Sequence, residues 1–186
     1  MLQHLGSAIL QSGNLTLRPF VTDDAEEMFR NWAHDPEVTR YLTWQAHPDS
    51  GETRRILDLW VPRYIEADFY NWGIVYEPEA ALIGSISFAD SADKSGRAEV
   101  GYCIGQPWWG KGIMTEALKM VISFAFAQVG LQRIQAIHNV KNPASGRVMQ
   151  KAGMQLEGIM RRYMLDNEGD YADHALYAIL SDHTNT

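Results

Sequence analysis

The sequence predicts a mixed α/β (α+β) fold, one twisted mixed sheet flanked by helices. Three observations predict it. Short alternating apolar runs recur between helix-length amphipathic segments. The longest amphipathic segment follows a strand directly, through a glycine-rich loop. The chain has 186 residues, 46% hydrophobic and 21% charged, the size and composition of one globular domain. Such a chain buries roughly 70% of its unfolded surface and needs no disulfide or metal staple. A single domain over residues 1–186 is expected, with a core of about 14–181 and short termini.

LTLRP (Leu15–Pro19) reads as a first strand, with Leu15 and Leu17 on one face. In TDDAEEMFRNWAHD, Ala25, Met28, Phe29 and Trp32 fall at helical spacing, and acidic residues lead, as the positive end of a helix dipole favours. A second helical region spans Ser50 to Ile65, with Pro62 bending or ending it. NWGIVY (Asn71–Tyr76) and LIGSISF (Leu82–Phe88) are strands joined by the turn-like EPEAA. SADKSGR reads as a polar loop, and AEVGYCIG (Ala98–Gly105) as the next strand. A long helix then starts near Met114. Ala117, Leu118, Val121, Ile122, Ala125, Phe126 and Val129 form its apolar stripe, and Gly130 stops it. LQRIQAIHN is a strand and NPASGRVMQKAG a short helix ended by Gly153. MQLEGIMRRYML and ADHALYAIL form a hairpin around DNEGDY. The order is β-α-α-β-β-β-α-β-α-β-β.

Composition narrows the function. Lys and Arg number 16 against 23 Asp and Glu, a net charge of −7, and no dense basic run is present. Non-specific nucleic-acid binding rests on neutralising phosphates, so no nucleic-acid partner is expected. The lone Cys103 excludes an intramolecular disulfide and any C-x-x-C site, which fits a reducing cytosol. No segment approaches the roughly 20 apolar residues of a membrane span. The opening MLQHLGSAILQSG lacks the basic region and long apolar run of a signal peptide, so a cytoplasmic protein without membrane contact is expected. His34, His47 and His138 lack metal-ligand spacing, and no metal is expected. Cys103 sits in an apolar strand with no identifiable His partner, which reads as packing rather than a nucleophile.

GQPWWGKG (Gly105–Gly112) matches G-x-x-x-x-G-K of a nucleotide P-loop, but Gly112 stands where the Mg²⁺-binding Ser or Thr belongs. No later strand supplies an apolar run ending in Asp, so ATP or GTP hydrolysis is set aside. What remains is a glycine-rich turn entering a helix, with free N–H groups and a favourable dipole for an anion. Gly110 and Gly112 permit close backbone approach and Lys111 adds positive charge. A pyrophosphate held without metal is the better ligand, and coenzyme A carries one.

Three blocks in order resemble the GNAT superfamily of N-acetyltransferases, and within it the RimJ/RimL-like branch of ribosomal-protein Nα-acetyltransferases. They are LTLRPFVTDDAEEMF, AEVGYCIGQPWWGKGIMTEAL and NPASGRVMQKAGMQLEG, and the similarity covers nearly the whole chain. The resemblance implies the GNAT acyl-CoA N-acyltransferase fold, whose central strands splay around the pantetheine arm of acetyl-CoA. It implies that the N–H groups of Gly110, Lys111, Gly112, Ile113 and Met114 hold the pyrophosphate, with Thr115 close by. It also implies that Tyr102, Cys103 and Ile104 pair with pantetheine, and that Asn142 contacts the cofactor. The acetyl acceptor would be a primary amine, either a protein N-terminus or a small molecule, meeting acetyl-CoA in a ternary complex. A homodimer is compatible with the same resemblance. Pro107 replaces the Gln or Arg that opens the general superfamily loop, as is usual in this branch. A second departure matters more: Met149 stands where many members carry a Tyr that protonates the departing thiolate.

Acetyl transfer to an amine needs a base, a donor for the oxyanion and an exit for the thiolate. Glu99 is the leading base, acting through water, with Asp173 and His174 as rivals and a structural strand-end role as the alternative. Ser145 is the leading thiol-side donor in place of Met149, against a plain helix-start role for its hydroxyl. Trp108 and Trp109 either wall the cofactor entrance or pack the loop. Trp32, Tyr41, Trp44, Trp60 and Tyr64 either form an aromatic pocket for a cation or pack two amphipathic helices. A non-catalytic acyl-CoA-binding module of the same fold is the competing class.

Overall fold

A computed structural model describes residues 2–167 and 169–181 and, at 90–93, the backbone alone. Its strands are β1 (Leu10–Ser12), β2 (Leu15–Arg18), β3 (Asn71–Tyr76), β4 (Ala81–Ala92), β5 (Arg97–Ile104), β6 (Arg133–Asn139), β7 (Gln155–Leu165) and β8 (Tyr171–Leu180). Helices α1 (Ala25–Met28), α2 (Pro36–Thr39) and α3 (Ser50–Trp60) lie between β2 and β3. Helix α4 (Ile113–Phe124) connects β5 to β6, and α5 (Pro143–Lys151) connects β6 to β7. The strands form one mixed sheet in the order β1-β2-β3-β4-β5-β6-β8-β7, antiparallel throughout except for the parallel pair β5–β6. This is the flanked mixed sheet that the periodicities predict.

Alternation along the strands divides the core in two. Helices α4 and α5 cover one face, where Ala117, Leu118 and Val121 of α4 meet Trp72, Ile86, Ala98 and Val100 of the sheet. Helices α1 and α3 cover the other, where Met28, Trp32 and Leu57 enclose Phe20 and Leu82. Asp24 anchors the start of this second layer. It is nearly buried, accepts a bidentate contact from Arg18 at 2.7 Å, and accepts the Val21 N–H at 2.8 Å.

The structure departs from the expected elements where the sequence pattern is short or polar. Leu10–Ser12 adds a three-residue strand, and α2 is a single turn started by Pro36 and capped by Asp35. SADKSGR is not a loop throughout: β4 runs on to Ala92, and a tight 3-10 turn at Asp93–Ser95 leads into β5. The first helical region comprises a 3-10 turn, α1 and a wide π turn at Phe29–Ala33. As Pro62 implies, α3 tightens to a 3-10 turn over Val61–Ile65. Helix α4 ends in a π turn and then Gly130 at φ 84°. Ahead of β1, residues 7 and 8 strap the sheet: Ser7 Oγ accepts the Asn71 N–H at 2.8 Å and the Trp72 indole donates to the Ala8 carbonyl at 2.8 Å.

Gly84 lies where β4 crosses the end of β5. A Cβ there would meet the Cys103 carbonyl oxygen, and Ile104 Cα at 2.9 Å, both backbone atoms that cannot swing aside. Overpacking of this kind costs about 1–3 kcal/mol. Gly84→Ala should therefore lower the thermal midpoint by roughly 3–10 °C. Gly158→Ala, whose Cβ would meet nothing within 4 Å, should leave it within about 2 °C. Parallel calorimetric scans of the two variants check the contrast.

Candidate active site

The site begins with a parallel contact that stops early. Strands β5 and β6 are in register over Arg97↔Arg133, Ala98↔Ile134 and Glu99↔Gln135. Beyond that point β5 follows β4 to Ile104, whereas β6 follows β8 to Asn139. A bulge in β4 between Phe88 and Asp90 sits opposite the point of divergence, and a bulge bends its strand and adds twist. The result is a wedge with Glu99 and Gln135 at its apex.

Hydrogen-bond alternation determines what lines the wedge. The Gly105 N–H donates to the Ile83 carbonyl at 2.9 Å, so Gly101 and Cys103 also turn their backbone groups towards β4. Val100, Tyr102 and Ile104 then turn theirs into the gap. The Ile104 carbonyl already accepts the Trp109 indole N–H at 2.7 Å. The gap-facing groups left on Tyr102 and the Ile104 N–H form a strand edge that an amide-bearing chain can pair with.

At the open end of β5 the chain turns through the glycine loop into α4. Gly110 and Gly112 adopt φ 73° and 81°, and a Cβ on either would meet nothing within 4 Å. Gly112 is the N-cap of α4 and provides no side-chain cap. The Glu116 N–H bonds to the Gly112 carbonyl at 3.1 Å. Among the described residues, the N–H groups of Gly110, Lys111, Gly112, Ile113, Met114 and Thr115 meet no protein acceptor. This open ring of donors, with exposed Lys111 beside it, fits a pyrophosphate. The tryptophans brace it. Trp108 is buried, its indole on Glu79 at 3.1 Å, and half-exposed Trp109 ties the loop to the end of β5.

The two faces of β5 carry different chemistry. Glu99, Gly101 and Cys103 face the α1/α3 side, and Tyr102 faces the α4/α5 side. Glu99 Oε2 accepts from Gln135 Nε2 at 2.9 Å, and Oε1 meets no partner among the described residues. His174 is on the same face, opposite Asn139, but four residues along β8 from the Gln135 partner Ala178. At about 3.3 Å per residue it stands some 13 Å along β8 from Ala178, which is itself two strands away from Glu99. Asp173 points to the other face, and its Oδ1 accepts the Arg162 N–H at 2.8 Å. Cys103 Sγ is 3.3 Å from Ser85 Oγ, and burial pushes its thiol up to about 11.

Across the wedge, the start of α5 brings Asn142 and Ser145 to Tyr102. Asn142 Oδ1 caps the Ser145 N–H at 3.3 Å, so Asn142 supplies the helix-start role and leaves the Ser145 hydroxyl for another. That hydroxyl lies 2.9 Å from Tyr102 Oη. Met149 is buried in the α4/α5 core. Of the aromatic series between β2 and β3, Trp32 is fully buried, Trp60 packs on Phe20, and Tyr64 accepts the Phe20 N–H at 3.0 Å while donating to the Asn71 carbonyl at 2.9 Å. These three are packing, not a cation pocket.

The structure thus brings Glu99, Tyr102, Ile104, the 110–115 loop, Asn142 and Ser145 to one wedge. It turns the Cys103 backbone towards β4 and its thiol towards Ser85. Sequence reasoning missed two partners. Gln135 shares its face with Ile137, as alternation allows, but its meeting with Glu99 needs the parallel register. The Tyr102 side chain was read only for its backbone. A third contact closes over the α1/α3 face: Asn167 Nδ2 donates to the carbonyls of Thr39 and Trp44 at 2.7 and 3.1 Å. Among the described residues, no group of His, Cys, Asp or Glu is placed to hold a metal, and no helix is long and apolar enough to cross a membrane.

A split mixed sheet with an anion cradle at its mouth defines an acyl-CoA-dependent transferase fold, and comparison with known proteins gives the family. The profile of the acetyltransferase (GNAT) domain matches residues 14–155. The N-acetyltransferase YoaA of Bacillus subtilis is 36% identical over 92% of this chain and 96% of its own. The [ribosomal protein uS5]-alanine N-acetyltransferase of Escherichia coli is 35% identical over 60% of this chain and 57% of its own. The structure of the microcin C7 self-immunity acetyltransferase MccE, in complex with acetyl-CoA and AMP, superposes with a TM-score of 0.82. It is 21% identical and covers 91% of this chain and 94% of its own. The chain belongs to the GNAT acetyltransferase family, and in it to the RimJ-like branch. It is an acetyl-CoA-dependent N-acetyltransferase.

The raised thiol sets a pH signature. The folded state keeps the Cys103 proton up to about pH 11, whereas an unfolded thiol titrates near 9.0. The stabilisation it contributes is complete below pH 9 and is lost as pH climbs through 11. At pH 8 native Cys103 should react with iodoacetamide on the order of a hundredfold slower than the denatured chain. Mass-spectrometric time courses in native buffer and in urea check this.

Proposed function

We propose that the protein transfers the acetyl group of acetyl-CoA directly to the α-amine of a protein N-terminus, within a ternary complex. The observation that carries this reading is the wedge between β5 and β6. It has a strand edge along one wall, a main-chain anion cradle at its mouth and an ionisable carboxylate at its apex. The uS5-alanine specificity in the name of the Escherichia coli relative supports an N-terminal amine on a small residue as acceptor.

In this reading Gly110, Lys111, Gly112, Ile113 and Met114 hold the pyrophosphate through their N–H groups, with Thr115 beside them. The gap-facing backbone of Tyr102 and the Ile104 N–H hold the pantetheine amides. Asn142, whose Oδ1 caps the start of α5, contacts the cofactor through its Nδ2. Cys103 contributes by shape only, since its thiol remains neutral. Glu99 removes the proton of the attacking ammonium. It lies three residues, or about 10 Å, along β5 from Tyr102, so it acts through ordered water. Gln135 fixes one carboxylate oxygen and leaves the other for that water. Ser145 hydrogen-bonds the departing sulfur.

Peptides beginning with Ala or Ser, including the N-terminal sequence of ribosomal protein uS5, should release free CoA at least about tenfold faster than polyamines, aminoglycosides or free amino acids. A thiol-trapping assay over this panel decides the acceptor, and a small amine turning over fastest would overturn the N-terminal reading. Glu99→Gln should lower kcat by about a hundredfold or more with acetyl-CoA affinity unchanged. Equal kcat for the two proteins across a pH series would remove Glu99 from the mechanism.

A further inference from the structure

The Tyr102 side chain crosses the wedge on the α4/α5 side and ends on Ser145, 43 residues away. Its Oη lies 3.1 Å from the Ser145 carbonyl oxygen and 2.9 Å from Ser145 Oγ. A phenol has one hydrogen. When Tyr102 donates to the carbonyl, the contact to Oγ must be carried by the serine hydrogen, which then points at the tyrosine. When Tyr102 donates to Oγ instead, the serine hydrogen is released to turn elsewhere. The carbonyl is not orphaned by this exchange, because as a carbonyl inside α5 it retains the helical N–H four residues on.

We propose that Tyr102 is a positioning residue for acetyl transfer: its hydroxyl fixes the Ser145 rotamer and, by shifting its own hydrogen from the Ser145 carbonyl to Oγ, frees the Ser145 hydrogen for the departing sulfur. The inference rests on the Ser145 role given above. It lets a tyrosine on β5 support the sulfur-side contact through Ser145, where position 149 of α5 is filled by buried Met149. As the tetrahedral adduct collapses, the C–S bond breaks and its electron pair goes to sulfur. The thiolate accepts a hydrogen bond from Ser145 Oγ–H, Oγ accepts one from Tyr102, and no proton changes owner within the pair. Burial holds the Tyr102 hydroxyl well above the usual tyrosine range, opposed in part by its bond to Ser145. Tyr102 is therefore a neutral donor, not a proton source.

The test is a double-mutant cycle on the full chain with the best acceptor peptide. Tyr102→Phe keeps the ring and removes the hydroxyl. It should lower kcat about tenfold, with the KM for acetyl-CoA within about twofold. Ser145→Ala should lower kcat at least as much, and the double variant should be no slower than Ser145→Ala alone. Calorimetric binding of acetyl-CoA to each variant reports that the site is folded. Wild-type kcat in Tyr102→Phe, or single effects that multiply in the double variant, would overturn the positioning role while leaving Ser145 in place. A parallel loss of acetyl-CoA affinity in Tyr102→Phe would make the tie merely structural and equally overturn it. Wild-type kcat in Ser145→Ala would remove the Ser145 reading and this inference together.

Discussion

Everything in this molecule depends on where β5 and β6 stop pairing. Unpaired backbone N–H and C=O groups are costly when buried, and protein interiors leave very few of them. A sheet that parts at its centre is stable only if the exposed groups face solvent or a ligand, and only if the arms are held by something other than the missing ladder. Here the hold is distributed. Helix α4 packs on β1, β2 and β5 of one arm and against α5, which packs on β6, β7 and β8 of the other. Gln135 reaches Glu99 at the apex, and Tyr102 reaches Ser145 below the gap. The wedge has a defined opening because side chains and helices replace the absent backbone bonds.

The same constraint separates the chemistry of the two faces. Alternation along β5 sends Glu99 and Cys103 one way and Tyr102 the other, so a carboxylate and a phenol three positions apart on one strand face opposite sides of the sheet without touching. In the proposed reading the thioester sits in the gap between them and the amine approaches from the α1/α3 face. The contact of Asn167 with Thr39 and Trp44 ties the β7–β8 turn to the helical segment over that face. That face is thereby bounded by two segments far apart in sequence.

Much of the fold was legible in the sequence because its signals are local. The strands at 71–76 and 97–104 and the stripe of α4 follow from apolar period, and Gly130 and Gly153 mark where α4 and α5 give way to the next strand. The glycine loop was legible for the same reason: an αL glycine, a lysine and a second αL glycine ahead of a helix define an anion site without reference to the rest of the chain. Segments of three or four residues, such as Leu10–Ser12 and Pro36–Thr39, carry too few positions to show a period. The polar end of β4 reads as loop because its partner is a strand rather than a hydrophobic layer. The pairs Glu99–Gln135 and Tyr102–Ser145 join residues 36 and 43 positions apart. No local pattern encodes such meetings; they follow from the parallel register and from where α5 begins.

The position of β8 between β6 and β7 bears on how the chain is made. During synthesis β1 to β5 emerge first and can zip as a meander of sequential neighbours, but β6 emerges with no partner for most of its edge. It waits through α5 and the whole of β7 until Tyr171–Leu180 arrives and inserts between the two. A nascent chain interrupted before that strand would have its first arm complete and its second arm unzipped, with the edges of β6 and β7 open to pairing with other chains. The arm carrying Ser145 therefore cannot assemble ahead of the last strand. A partial translation product would carry the anion cradle but not the wall it faces.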